Sequence, residues 1–228
     1  MYKFKEKKNP IRIENAWGKE LIDEGMKFYV GDYTWLPCYD EIVKWLAFNG
    51  GRGLTCAGGF GLGKTVICTK IIPTLFDEWK YDYICVSAYE MSRKVEEIKN
   101  HEIIIIDDFG VEGEAVIYGE HRHIFNEIVD FAEREGRLLI LTTNLNGEEM
   151  AKKYGVRTVD RLKQLTKAVV FQGNSLRKKM DEEEGAFYAY GVRFGKLKEA
   201  DDFAEEQERI RDRIEKGEVT LYDDYAEE

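Results

Sequence analysis

Gly58-Gly59-Phe60-Gly61-Leu62-Gly63-Lys64-Thr65 fits the pattern G-x-x-x-x-G-K-[ST]. Arg52-Gly53-Leu54-Thr55-Cys56-Ala57, a strand-like run, precedes it, and Val66 to Ile72 continues it as the start of an amphipathic helix. That strand–loop–helix setting gives the pattern physical content. Four glycines within Gly58–Gly63 let the backbone turn its N–H groups inward around phosphate oxygens. The helix that follows adds the partial positive charge of its N-terminus. In this reading residues 58–65 bind a nucleotide: Lys64 reaches the β- and γ-phosphates and the Thr65 hydroxyl is a ligand for Mg²⁺.

The rest of the chain narrows the setting. With 228 residues it is long enough to bury a full core as one domain of ordinary size. No apolar run approaches the ~20 residues of a membrane span. Met1 to Lys8 is basic with no apolar segment behind it, so no secretory signal is read and the chain reads as cytoplasmic. Cys38, Cys56, Cys68 and Cys85 have no C-x-x-C spacing and are expected as buried, reduced thiols. The net charge of −10 is uneven, because residues 1–180 balance 27 basic against 27 acidic side chains. Residues 181–228, with 7 against 17, supply the whole excess. A neutral core gives no compositional support for a broad nucleic-acid surface.

Apolar runs at Tyr83–Ser87, Glu102–Asp108, Arg137–Asn144 and Ala168–Phe171 join the run before the glycine loop as five strands. Helical spacing marks Asp40–Phe48, Ala88–Lys99, Ile124–Arg134, Gly147–Tyr154 and Val159–Leu165. Strands alternating with helices predict a parallel sheet covered on both faces. Residues 11–35 mix aromatics with charges and show no clear period.

Three further stretches carry candidate polar groups, the first two at strand ends, where ligands of such sheets gather. The first is Asp107-Asp108, 43 residues after Lys64. Asp107 would hold the water shell of Mg²⁺, and Asp108 would orient or deprotonate the attacking water. The same residues, in Asp-Asp-Phe-Gly, would also serve as a plain turn after a strand. The second is Thr142-Thr143-Asn144, where the Asn144 amide would bridge the water and the γ-phosphate, or only begin a turn. The third is Arg157 and Arg161, four apart on one helix face. They fit either an arginine pair offered to a neighbour's γ-phosphate or a solvated basic face. Arg177, past the last strand, could reach phosphate within its own chain. His121 and His123 have no partner at metal-ligand spacing and are assigned no metal.

Together, Ile103–Gly110, Leu138–Asn144, Arg157–Leu162 and Val169–Arg177 resemble the AAA+ ATPases, and within them the DnaC-like helicase loaders and the related IstB-like transposition ATPases. The resemblance implies an α/β P-loop NTPase of AAA+ type, a three-layer sandwich with a five-stranded parallel sheet in the order 5-1-4-3-2. It implies ATP and Mg²⁺ as ligands and ATP hydrolysis as the activity. It gives Arg161 the look of a trans-acting finger with Arg157 second, and Arg177 that of a second sensor. It implies an ATP-dependent homo-oligomer whose partner is a replicative helicase or another DNA-processing protein, with single-stranded DNA a further candidate.

Where replication initiators insert extra helical structure before the acidic strand, only 14 residues (Ala88–His101) are present here, room for one helix. The expected organisation is an N-terminal arm over 1–35, an ATPase core over 36–177 and an acidic C-terminal extension over 178–228. Within the extension, residues 186–194 read as strand-like and 203–216 as a charged helix. Lys152, Lys153, Arg157, Lys163, Lys167, Lys178 and Lys179 are the DNA-contact candidates, or equally a solvated surface. Two other functions fit the same motifs: a DNA-bound transposition ATPase, and a nucleotide-gated binding module with little turnover.

Overall fold

Four consecutive isoleucines, Ile103–Ile106, have no polar face to show to water, and both of their faces are covered. In the computed structural model, which describes residues 11–112, 115–117, 120–173 and 175–176, they form strand β3 of a five-stranded sheet. The strands are β1 (Gly53–Gly58), β2 (Tyr83–Ser87), β3 (Ile103–Asp107), β6 (Leu138–Thr143) and β7 (Thr166–Phe171). In the chain between β3 and β6 comes a separate antiparallel pair, β4 (Ala115–Ile117) and β5 (Glu120–Arg122).

Every pairing in the main sheet is parallel, in the order β2-β3-β6-β1-β7. Counting only those five strands, this is the expected 5-1-4-3-2 read from the other edge. The inner strands are buried almost end to end, whereas the edge strands β2 and β7 alternate buried and open positions. That contrast is the difference between a strand covered on both faces and one that also borders solvent.

Two helical layers cover the sheet. On one face lie α1 (Asn15–Val30), α2 (Pro37–Ala47) and a helix running from Lys64 to Glu78 as α3 (Lys64–Val66), a π turn (Ile67–Ile71) and α4 (Ile72–Glu78). Ile22, Met26, Trp45, Ile71 and Phe76 from this layer pack with Ile103 and Ile105. On the other face lie α5 (Met91–Ile98), α6 (Ile124–Glu135), α7 (Gly147–Tyr154) and α8 (Val156–Leu165). Phe125, Ile128, Tyr154 and Leu162 meet Ile104 and Ile106 there. Alternate isoleucines of one strand therefore serve opposite cores, which makes the three-layer sandwich.

Three features depart from the sequence reading. Residues 15–30 of the expected N-terminal arm form helix α1, whose Gly18, Ile22 and Met26 are buried. The hairpin of β4 and β5 stands where no element is read from the sequence. Of the cysteines, Cys38, Cys56 and Cys68 are buried free thiols, but Cys85, on edge strand β2, is exposed. The chain divides into two units, Met1–Lys178 and Lys179–Glu228. Arg177, Lys178, Lys179 and the elements expected over 186–194 and 203–216 lie outside the described residues.

Candidate functional site

The glycine loop leaves the end of β1 at a point with no room for a side chain. At Gly58 (φ +131°) a Cβ would stand 2.2 Å from the Phe171 carbonyl oxygen of β7. Gly63 (φ +83°) opens the following helix in a left-handed conformation, where a Cβ would lie 2.9 Å from Met26 Cε and 3.1 Å from the Tyr39 hydroxyl. Tyr39 also donates to the Leu62 carbonyl at 3.1 Å, and the Leu176 N–H donates to the Gly61 carbonyl at 2.8 Å. Helices α1 and α2 thus brace the loop from behind. Leu62 is buried in that support, while Phe60 projects at the rim with 70% of its surface exposed.

Lys64 is buried, and its ammonium group has three acceptors: the Gly58 carbonyl at 2.8 Å, the Gly59 carbonyl at 2.6 Å and Asn144 Oδ1 at 2.9 Å. Burial pulls its pKa down, while Asp108 and Asp107 oppose that pull. From Asn144 the contacts run on, its Nδ2 donating to Asp108 Oδ1 at 2.7 Å. Burial, reinforced by the neighbouring Asp107 charge, raises the Asp108 carboxyl above its ordinary value. Asp108 also has φ +56°, one of two non-glycine residues with positive φ among the described residues. Aspartate tolerates that conformation better than most side chains.

Beside this chain stands a second one. Thr65 Oγ1 donates to Asp107 Oδ1 at 3.0 Å, and Thr142 Oγ1 donates to the same oxygen at 2.5 Å. The Asp108 N–H donates to Thr142 Oγ1 at 2.7 Å. Strands β1, β3 and β6 lie side by side in the sheet, which is why their ends meet. Lys64, Thr65, Asp107, Asp108 and Asn144, chosen from separate stretches of sequence, are joined by hydrogen bonds at the carboxyl ends of the inner strands.

The turn after Asp108 is secured from α7. Lys153 Nζ donates to the Gly110 and Glu112 carbonyls, each at 2.6 Å. Tyr154 donates to Glu112 Oε1, and Glu112 Oε2 accepts from the Gly110 N–H at 2.6 Å. Phe109 stacks on Phe125 with ring centroids 4.4 Å apart. Thr142, Glu112, Lys153 and Tyr154 were not singled out for this site from the sequence; only the polar pair Thr142-Thr143 at a strand end signals such a role.

The arginines are held differently. Arg161 forms ion pairs with Asp130 and, at 2.9 Å, with Glu133, both on α6 of its own chain. Arg157 is exposed. Neither is bonded to the glycine loop among the described residues. Of the basic DNA-contact candidates, Lys153 is spent on carbonyls and Lys167 pairs with Glu41 at 3.0 Å, whereas Lys152, Arg157 and Lys163 are exposed.

The donor set fits Mg²⁺. A hydroxyl and a carboxylate are hard oxygen ligands, and Mg²⁺ is commonly held by one or two protein groups together with phosphates and water. Among the described residues no cluster of three or more His, Cys, Asp or Glu could hold a metal by itself. No helix among them is long and apolar enough to cross a membrane.

No family model and no curated protein matches the sequence. Solved structures match the fold. The DnaC helicase loader is matched over 68% of this chain and 99% of its own, at 16% identity and a TM-score of 0.51. DnaI is matched over 70% and 85%, at 19% identity and a TM-score of 0.47. AMPPCP-bound DnaA from Aquifex aeolicus is matched over 66% and 52%, at 18% identity and a TM-score of 0.46.

Proposed function

From an AAA+ P-loop fold shared with the DnaC helicase loader, we propose that this protein is an Mg²⁺-dependent ATPase that acts on a replicative helicase. The observation that carries the ATPase reading is the meeting of Thr65 with Asp107 and of Lys64, through Asn144, with Asp108. Residues 58–65 wrap the triphosphate, and Lys64 exchanges its carbonyl and amide acceptors for phosphate oxygens. Thr65 and Asp107 would hold Mg²⁺, which would supply positive charge against the triphosphate. Asp108 accepts a proton from the attacking water, a task suited to a carboxyl whose pKa burial has raised. Asn144 lies between Lys64 and Asp108 and orients that water. Arg177 contacts phosphate in its own chain. Arg161, with Arg157 beside it, serves the neighbouring subunit of an ATP-dependent oligomer.

The test is titration with a fluorescent ATP analogue, with and without Mg²⁺, alongside phosphate release. Wild type is expected to bind with micromolar affinity. Lys64→Ala loses tight binding, and Asp108→Asn keeps binding but loses turnover by about 100-fold or more. Wild-type protein that fails to bind nucleotide, or Asp108→Asn protein with normal turnover, contradicts the assignment. For the partner, a hexameric replicative helicase is expected to co-elute with this protein in ATP. Absence of co-elution at saturating ATP removes the helicase reading and leaves the ATPase reading standing.

A further inference from the structure

We infer that Thr142 is a positioning residue that sets Asp107 for Mg²⁺ and Asp108 for water through a single hydroxyl group. The inference rests on the ATPase reading above and adds a residue to it. Thr142 is 1% exposed, near the carboxyl end of β6. A hydroxyl has one proton to give. The Asp108 N–H can only donate, so Thr142 Oγ1 accepts from it, at 2.7 Å, and its own proton is committed to Asp107 Oδ1, at 2.5 Å. The direction of both bonds is thereby fixed. One atom of β6 orients the carboxylate that shares a bond with Thr65, and pins the backbone of the next residue in its left-handed conformation.

Neighbouring bonds hold the same turn without touching the carboxylates. The Phe109 N–H donates to the Thr142 carbonyl at 2.9 Å, and Thr143 Oγ1 donates to the Phe109 carbonyl at 2.6 Å. With those bonds keeping the fold of the turn, the Thr142 hydroxyl is left the task of aiming the two acids. Valine has nearly the same shape and lacks the hydroxyl, while serine keeps it.

The experiment measures binding of a fluorescent ATP analogue as a function of Mg²⁺, together with turnover, in wild type, Thr142→Val and Thr142→Ser. In Thr142→Val the affinity without Mg²⁺ is expected to stay within about twofold of wild type. The Mg²⁺ concentration for half-maximal effect rises about tenfold or more, as loss of a hydrogen bond to a charged group implies, and turnover falls at least as far. Thr142→Ser restores both. Should the valine variant unfold at the assay temperature, Thr142→Ala, which also lacks the hydroxyl, is read by the same criteria. Unchanged Mg²⁺ dependence and turnover overturn the inference. So does a serine variant that fails to restore them, or an equal loss of Mg²⁺-free binding, since each marks a merely structural threonine. Wild-type protein that binds no nucleotide fails the ATPase reading itself, a result distinct from the other three.

Discussion

Lys64 and Asp108 are perturbed in opposite senses by the same cause, burial at the carboxyl ends of the strands, and Asn144 stands between them with one bond to each. A cation and an acid each made less willing to carry charge suit a pocket awaiting phosphate on one side and a proton on the other. The glycine loop, the acidic pair and Asn144 were legible because each is a short polar signal set against an apolar strand. Thr142 was less so, since the backbone contact that gives it a role depends on strand register. Glu90 shows a charge with a simpler task. Its carboxylate accepts from the Ser87 N–H and Oγ, each at 2.9 Å, and pairs with Lys94 at 3.0 Å. The Ser87 amide first, then Lys94, hold its pKa down to about 2. A depressed carboxyl stabilises the fold above its unfolded pKa, and that contribution is lost as pH falls through the folded value. Glu90→Gln should therefore be less stable than wild type at pH 7, by no more than about 1 kcal/mol because the side chain is nearly half exposed. The difference should close as pH falls from about 4.5 to about 2. Melting curves across that range check it, and a gap that persists at pH 2 contradicts it.

Among the elements, α1 was the longest that the sequence concealed. Glycine disfavours a helix interior by about 1 kcal/mol relative to alanine, and Gly18 and Gly25 both interrupt the apolar pattern of residues 15–30. The structure gives the second glycine a reason. A Cβ on Gly25 would stand 2.6 Å from Ile71 Cγ1 and 2.7 Å from its Cδ1, so α1 approaches the π turn behind the glycine loop as closely as backbone permits. Ile71 is itself buried at 1% exposure and cannot turn away freely. Overpacking of about 1–3 kcal/mol should outweigh the propensity gain of about 1 kcal/mol, so Gly25→Ala should lower the melting temperature. A variant that melts above wild type would show that the contact relaxes at little cost. Strands β4 and β5 were hidden for another reason. With three residues each they are too short for a period of two to stand out from a loop.

At the scale of the molecule, the alternation of strands and helices carried the parallel sheet, whereas its strand order came from the resemblance to the AAA+ ATPases. What one chain could not reveal is the setting of its arginines. Arg161 is engaged by Asp130 and Glu133 within its own subunit, so service to a neighbour requires it to exchange those partners for phosphate. Mixing subunits tests this. Arg161→Ala and Asp108→Asn proteins, each inactive alone, should regain up to about a quarter of wild-type turnover when mixed, the share of interfaces that join an intact pocket to an intact arginine. No recovery, with both proteins folded and assembled, contradicts a role in trans. The central claim is that a triphosphate and its metal lie between residues 58–65 and the ends of β3 and β6. Its most direct test is a crystal structure with a non-hydrolysable ATP analogue and Mn²⁺, whose anomalous signal locates the metal. The account predicts Mn²⁺ at the Thr65 hydroxyl and Asp107, with the γ-phosphate against Lys64; a metal or triphosphate bound elsewhere, with this loop empty, would contradict it.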